Sequence, residues 1–156
     1  MENSMSDNQI DSIDRKILRH LQEDSRRPYL EIARQIGCSG GTIHARVAKL
    51  KDLGVISGQV ITLNKASLGY EMEAFLGITV DLASKFEFVS EQLKKIPEVT
   101  EVHYTTGSYS LLTKVAVKNS KDLFLLLSTK IQTIDHVSAT DTLIVLDTFL
   151  TRDIHV

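Results

Sequence analysis

The hydrophobic period of the chain changes at Gly54. Before it, apolar residues recur three and four positions apart: Ile13, Ile17, Leu18 and Leu21, then Leu30, Ile32, Ala33 and Ile36, then Ile43, Val47 and Leu50. That spacing keeps one stripe on each of three short helices. After it, β-branched runs alternate with two further helical stripes. A single periodicity would allow one layer of helices or one sheet; a change of period midway predicts two small domains of different class.

Local punctuation agrees. Asp11 precedes the first stripe as a cap, and Asp14 supplies an acid in the first turn. Pro28 breaks the chain and serves the start of a second helix. Gly37 ends that helix and Ser39 caps the third. Gly54 closes the third helix. Val55 to Leu63 reads as strand with a turn near Ser57–Gly58, and Asn64 to Gly69 as a linker. From Glu71 the order is strand (Ala74 to Val80), helix (Phe86, Val89, Leu93, Ile96, ended by Pro97) and strand (Val99 to Tyr104). Strand (Leu111 to Val117), helix (Leu123, Leu126, Leu127, Ile131) and strand (Thr142 to Leu146) follow. This βαββαβ order is the ferredoxin-like arrangement. The expected fold class is α+β: an N-terminal helix-turn-helix, winged-helix-like domain over 1–63, a linker over 64–70, and a ferredoxin-like domain over 71–156. The outward faces of a four-stranded sheet need cover, so the second domain is expected to dimerise.

The segment from Tyr29 to Val47 has the chemistry of a helix-turn-helix. Ala33 is small where two helices cross, Gly37 suits a left-handed turn, and Ile32, Ile36, Ile43 and Val47 bind the helices together. A helical wheel of the third helix puts Gly41, Ala45 and Ala48 opposite the buried stripe. Thr42 and Lys49 flank them on one side, His44 and Lys51 on the other, with Arg46 nearer the core boundary. Small residues permit close approach to a major groove, and the flanks supply donors for bases and phosphates. Arg26 and Arg27 stand before Pro28 to meet phosphate. The expected DNA-binding residues are therefore Arg26, Arg27, Ser39, Gly41, Thr42, His44, Ala45, Arg46 and Lys49. With few base-reading side chains, the helix is expected to lean on phosphate contact and DNA shape.

Charge is distributed accordingly. The whole chain carries a formal net −2, yet residues 1–65 hold ten Lys and Arg against eight Asp and Glu. Between Arg26 and Lys51 six basic residues face Glu31 alone. A basic surface confined to one part fits double-stranded DNA as a partner. No apolar run is long enough to span a bilayer. Met1 to Gln9 lack the basic start and apolar stretch of a signal peptide, so a cytoplasmic location is expected. The single cysteine, Cys38, agrees. A ferredoxin-like domain can host catalysis, but there is no nucleophile motif, no Gly-rich phosphate loop and no metal spacing among His20, His44, His103, His136 and His155. An enzyme is not expected, nor a metal or cofactor.

These residues resemble the Lrp/AsnC family of feast/famine regulators over nearly the whole chain. The resemblance rests on Ile13-Asp14-Arg15-Lys16-Ile17-Leu18, on Glu31 through Ser39, and on Arg46-Val47 through Leu53-Gly54-Val55-Ile56. In the second half it rests on Pro97-Glu98-Val99, Thr106-Gly107-Ser108-Tyr109-Ser110 and Ile144-Val145-Leu146. Gly41-Thr42-Ile43-His44, Tyr104-Thr105-Thr106-Gly107 and Lys130 through Asp135 are most similar to the asparagine-responsive AsnC branch. The resemblance implies an amino-acid-responsive, DNA-binding transcription regulator. It also implies a homo-oligomer of dimers, expected as an octamer of four dimers, with the effector bound between dimers. The implied effector residues are Tyr104, Thr106, Gly107, Tyr109 and Ser110 on one segment, and Gln132, Thr133 and Asp135 from the other. Asp135 would pair with an α-ammonium, backbone N–H groups near Gly107 would hold a carboxylate, and Gln132 would meet a side-chain amide. Two positions depart from the family: Gly40 stands where many members carry Pro, and Ser110 where many carry Asp. The second removes a charge from the loop and points to a neutral amino acid, asparagine first. The alternative is an architectural DNA-binding protein that senses nothing.

Overall fold

The computed structural model describes residues 10–154 and 156; the expectations placed on Met1 to Gln9 and on His155 lie outside them. The chain divides into two compact units, one of residues up to Thr62 together with Arg152–Val156, the other Leu63–Thr151.

The first unit holds three helices, α1 (Ser12–Glu23), α2 (Tyr29–Ile36) and α3 (Gly40–Asp52). Asp11 caps α1, accepting from the N–H groups of Ile13 and Asp14, while the Asp14 carboxylate accepts from the Asp11 N–H, which closes a capping box. Pro28 stands one residue outside α2, and its carbonyl accepts from Glu31 and Ile32. Gly37 ends α2 at φ 81°, a conformation in which a side chain would be strained. Ser39 caps α3 through its Oγ, which accepts from the Thr42 N–H at 3.1 Å. Most of the stripe residues read from the sequence form the core: Ile17, Ile32, Ala33, Ile43 and Val47 are buried against each other, whereas Leu30, placed on the stripe of α2, is 58% exposed. Ala33 is 1% exposed, as a close helix crossing requires.

Two expectations fail in this unit. Val55 to Leu63 forms no strand; Val60 and Ile61 are 91% and 71% exposed. β-branched residues favour extended backbone, but a strand exists only with a neighbouring strand to pair with; Val55 and Ile56 instead donate to the Leu50 carbonyl at the end of α3, and among the described residues no strand pairs with the rest of the segment. The tail is the second correction. Placed with the second domain by sequence, residues 152–156 cluster with the first unit. The Arg19 Nε donates to the Val156 carbonyl at 2.6 Å and Gln22 Nε2 to that of Ile154 at 2.9 Å, bonds between side chains of α1 and tail backbone that no hydrophobic pattern signals.

The second unit is a four-stranded antiparallel sheet in the order β2-β3-β1-β4, with β1 (Met72–Val80), β2 (Val99–Tyr104), β3 (Leu111–Val117) and β4 (Val137–Ile144). Helices α4 (Phe86–Leu93) and α5 (Ser120–Leu125) connect them. The expected 64–70 linker belongs to this unit as an ordered turn, with Asn64 Oδ1 accepting from the Ser67 N–H. Leu76, Ile78, Val89, Leu93, Val115, Leu126 and Ile131 fill one continuous core. After α5 the chain widens into a π-helix over Leu126–Ile131. Its i→i+5 bonding, seen in Gln132 N–H donating to Leu127, lets Leu126 and Ile131 both face the core although they stand five positions apart. The last strand starts at Val137, five residues before the expected Thr142, and stops at Ile144. Its pairing with β1 runs from Val80↔Val137 to Ala74↔Ile144. Ser138, Thr140 and Asp141 hide this start, because an edge strand needs little apolar alternation.

Candidate DNA-binding and ligand-binding sites

The exposed face of α3 is built from Gly41, His44, Ala45, Ala48 and Lys49. Its stripe of Ile43, Val47 and Leu50 is buried, so the helix cannot rotate without uncovering its core side. At its start Ser39 Oγ and Thr42 Oγ1 lie 2.8 Å apart, and the His44 ring packs edge-on against Tyr29, 4.6 Å between centroids. Small side chains in the middle and hydroxyl and imidazole groups near the N-terminus give a surface that fits a major groove.

The basic residues are less uniform than their sequence suggests. Arg27 donates to His20 Nδ1 at 2.7 Å and to Glu23 at 3.1 Å. Arg46 Nη1 donates to Asp11 Oδ2 at 2.6 Å and to Asp14 Oδ1 at 2.8 Å. Lys49 Nζ donates to Asp14 Oδ2 at 3.0 Å. The Asp14 side chain is wholly buried. Burial raises its pKa, but the hydrogen bonds from Arg46 and Lys49 outweigh this and leave it below the ordinary carboxylate value. Asp11 is lowered too, first by the Asp14 N–H and then by Arg46. Among the described residues, Arg26, Arg34 and Lys51 have no ion pair. The sequence marked Asp11 and Asp14 as capping groups only. Their second role became visible once α1 and α3 packed.

In the second unit both expected effector segments emerge where β1 ends. The β2–β3 loop is tied to β1: the Ser110 N–H donates to the Ile78 carbonyl at 2.9 Å, and Ser110 Oγ accepts from the Val80 N–H at 3.2 Å. Gly107 turns the loop at φ 115°. Val80 pairs with Val137, and the Asp81 N–H donates to His136, which brings residues 132–136 to the same end. Tyr104 is exposed and stacks on Phe86 at 4.3 Å. Tyr109 lies across Gly77 on β1, and its hydroxyl donates to Asp141 Oδ2 on β4 at 2.5 Å. A Cβ at Gly77 would sit 2.6 Å from the ring. Gly77 and Asp141 were absent from the sequence-based set: a Gly inside a strand pattern hints at close approach, but nothing in the sequence says to what. Gln132 Nε2 donates to Thr140, and Thr133 Oγ1 to the Thr129 carbonyl. Asp135 is exposed and has no ion pair among the described residues. A separate pocket of about 420 Å³, lined by Tyr70, Pro97, Glu98, Lys118, Thr129 and Lys130 among others, contains none of the expected effector residues. No described helix is long and apolar enough to cross a membrane.

A helix-turn-helix with an exposed small-residue recognition face, joined in one chain to a ferredoxin-like unit with a structured loop end, defines a class of two-domain transcription regulators. Residues 10–51 match the AsnC-type helix-turn-helix domain and residues 73–154 the Lrp/AsnC ligand binding domain. The regulatory protein AsnC of Haemophilus influenzae is 43% identical over 93% of this chain and 97% of that protein. The structure of E. coli AsnC superposes with a TM-score of 0.90 at 42% identity, covering 94% of this chain and 98% of that one. A feast or famine regulatory protein from M. tuberculosis complexed with L-methionine superposes at 0.86 with 31% identity, covering 93% and 97%. The chain belongs to the Lrp/AsnC family. It is an amino-acid-responsive, DNA-binding transcription regulator of that type.

Proposed function

We propose that α3 enters the major groove with Ser39, Gly41, Thr42, His44 and Ala45 toward base edges, while Arg26 and Arg27 meet phosphate. Arg46 and Lys49 contribute at the helix edge, with a charge already shared with Asp11 and Asp14. The observation that carries this reading is the exposed small-residue face opposite a fully buried stripe. The loops 104–110 and 132–135 take a small neutral amino acid, asparagine first. Support comes from the unpaired carboxylate of Asp135, from the amide of Gln132 and from a β2–β3 loop whose residue 110 is an uncharged Ser. Thr106, Gly107 and Tyr109 shape the loop, Thr133 borders the other segment, and Tyr104 stands exposed at the end of β2.

The protein works as a homo-oligomer of dimers, an octamer in the full assembly. Leu143, Ile144, Leu146, Phe149 and Leu150 are all exposed along one short stretch, which favours cover by a second copy. Its place is the cytoplasm, with the chromosome, and its role is regulation, not catalysis, as its relatives' names indicate. The test is melting temperature against a panel of amino acids. A ligand bound to the folded state raises stability by RT ln(1 + [L]/Kd), roughly 2.7 kcal/mol at a hundredfold excess over Kd. A rise with asparagine, or failing that with another small neutral amino acid, is the expected result; no rise with any of them would favour the architectural role.

A further inference from the structure

We infer that Asp14 is a positioning residue of the DNA-reading surface: it holds Arg46 and Lys49 against the protein and so limits how much phosphate contact the recognition helix makes. The inference rests on the reading of α3 as the helix that meets DNA.

Asp14 stands on α1 and its side chain is wholly buried. Both carboxylate oxygens are occupied. Oδ1 accepts from Arg46 at 2.8 Å; Oδ2 accepts from Lys49 at 3.0 Å and from the Asp11 N–H at 3.2 Å. Asp11 adds a second acid to Arg46 at 2.6 Å. Among the described residues, two acids face two bases in this cluster. A helix whose sequence carries Arg46 and Lys49 on its edge therefore presents little of their charge. A desolvated carboxylate is not readily abandoned, because leaving it unpaired is costly, so a nearby phosphate competes poorly for either cation. The pair Arg46 and Lys49 spans one turn of α3, so Asp14 also fixes the rotation of that helix about its axis.

Phosphate contact raises affinity for every sequence alike, whereas base edges and shape discriminate. Limiting what these two cations offer to phosphate shifts discrimination toward the small exposed face. Removing the acid should then tighten binding to the wrong DNA.

The experiment uses the full chain and two duplexes of equal length: one recovered by the wild-type protein from a randomised pool, and one of random sequence. Binding is measured across a salt series for wild type, Asp14→Asn, Asp11→Asn and Asp14→Asn/Lys49→Ala. Asn is close in shape to Asp and remains a good cap at position 11. Asp14→Asn is expected to bind the random duplex about tenfold more tightly at low salt. Its log–log salt slope should steepen by about one, the increment for one added phosphate, and the ratio between the duplexes should fall. The double variant should return to the wild-type slope, and Asp11→Asn should shift the same way by less. A parallel loss of binding to both duplexes with an unchanged slope, or no change at all, would overturn the inference alone. If Asp14→Asn lacks the wild-type circular dichroism, Asp11→Asn decides by the same two outcomes. Unchanged binding by Thr42→Ala and His44→Ala on both duplexes would instead remove α3 from the DNA, and the inference with it.

Discussion

In the first unit, the recognition helix is held to α1 partly by polar groups: a buried Asp14 grips Arg46 and Lys49, and a Ser39 cap starts the helix. In the second, the β2–β3 loop is seated by a ring on a bare strand: Tyr109 lies over Gly77 and ends on Asp141. The first unit has a small core of short helices, which leaves orientation to be fixed by charge. The second has a continuous core between sheet and helices, so its framework is already rigid and only the loop needs an anchor. A small core makes each polar contact matter for geometry; a large one lets close packing do it.

The core of the second unit is where a single substitution costs most. Leu76→Ala removes a wholly buried side chain from the second core and is expected to cost about 3 kcal/mol, within the range for cavity-forming substitutions. Urea unfolding should show a lowered midpoint for the second unit. The first unit should keep its own stability; an equal fall in both would mean that the units unfold as one.

Gly77→Ala tests the loop anchor. The new methyl must displace the Tyr109 ring, at a cost of about 2 kcal/mol typical of overpacking, and the bond to Asp141 goes with it. Melting in the presence and absence of asparagine should show the ligand response weakened while DNA binding persists. A full response would mean that Tyr109 has no part in seating the ligand.

Ser39→Ala is the smallest of the three. It leaves the Thr42 N–H without its cap and is expected to cost about 1 kcal/mol, confined to the first unit. Thermal melting followed by DNA-duplex titration checks it: a lowered first transition with an unchanged second is the expected pattern.

The helical stripes apart from Leu30, the caps at Asp11 and Ser39, the left-handed Gly37 and the boundaries of β2 and β3 are legible in the sequence. Each is a local property, set by spacing along one element or by a backbone preference of one residue. The small exposed face of α3 was legible for the same reason. The order βαββαβ was legible too, and with it the antiparallel sheet.

What spacing could not supply were relations between elements. Val55 to Leu63 has strand composition and no strand, because pairing needs a partner. Residues 152–156 follow β4 in sequence and cluster with the first unit through bonds from Arg19 and Gln22. Gly77 and Asp141 stand on strands β1 and β4, and only the sheet register puts them side by side beneath Tyr109. Asp14 lies 32 positions from Arg46 and 35 from Lys49 in the chain. Sequence alone made them a capping acid and two DNA-facing bases. Tertiary packing joined them, together with Asp11, into one charge-paired cluster, since a carboxylate buried by the crossing of two helices must find its counter-charges wherever the fold brings them.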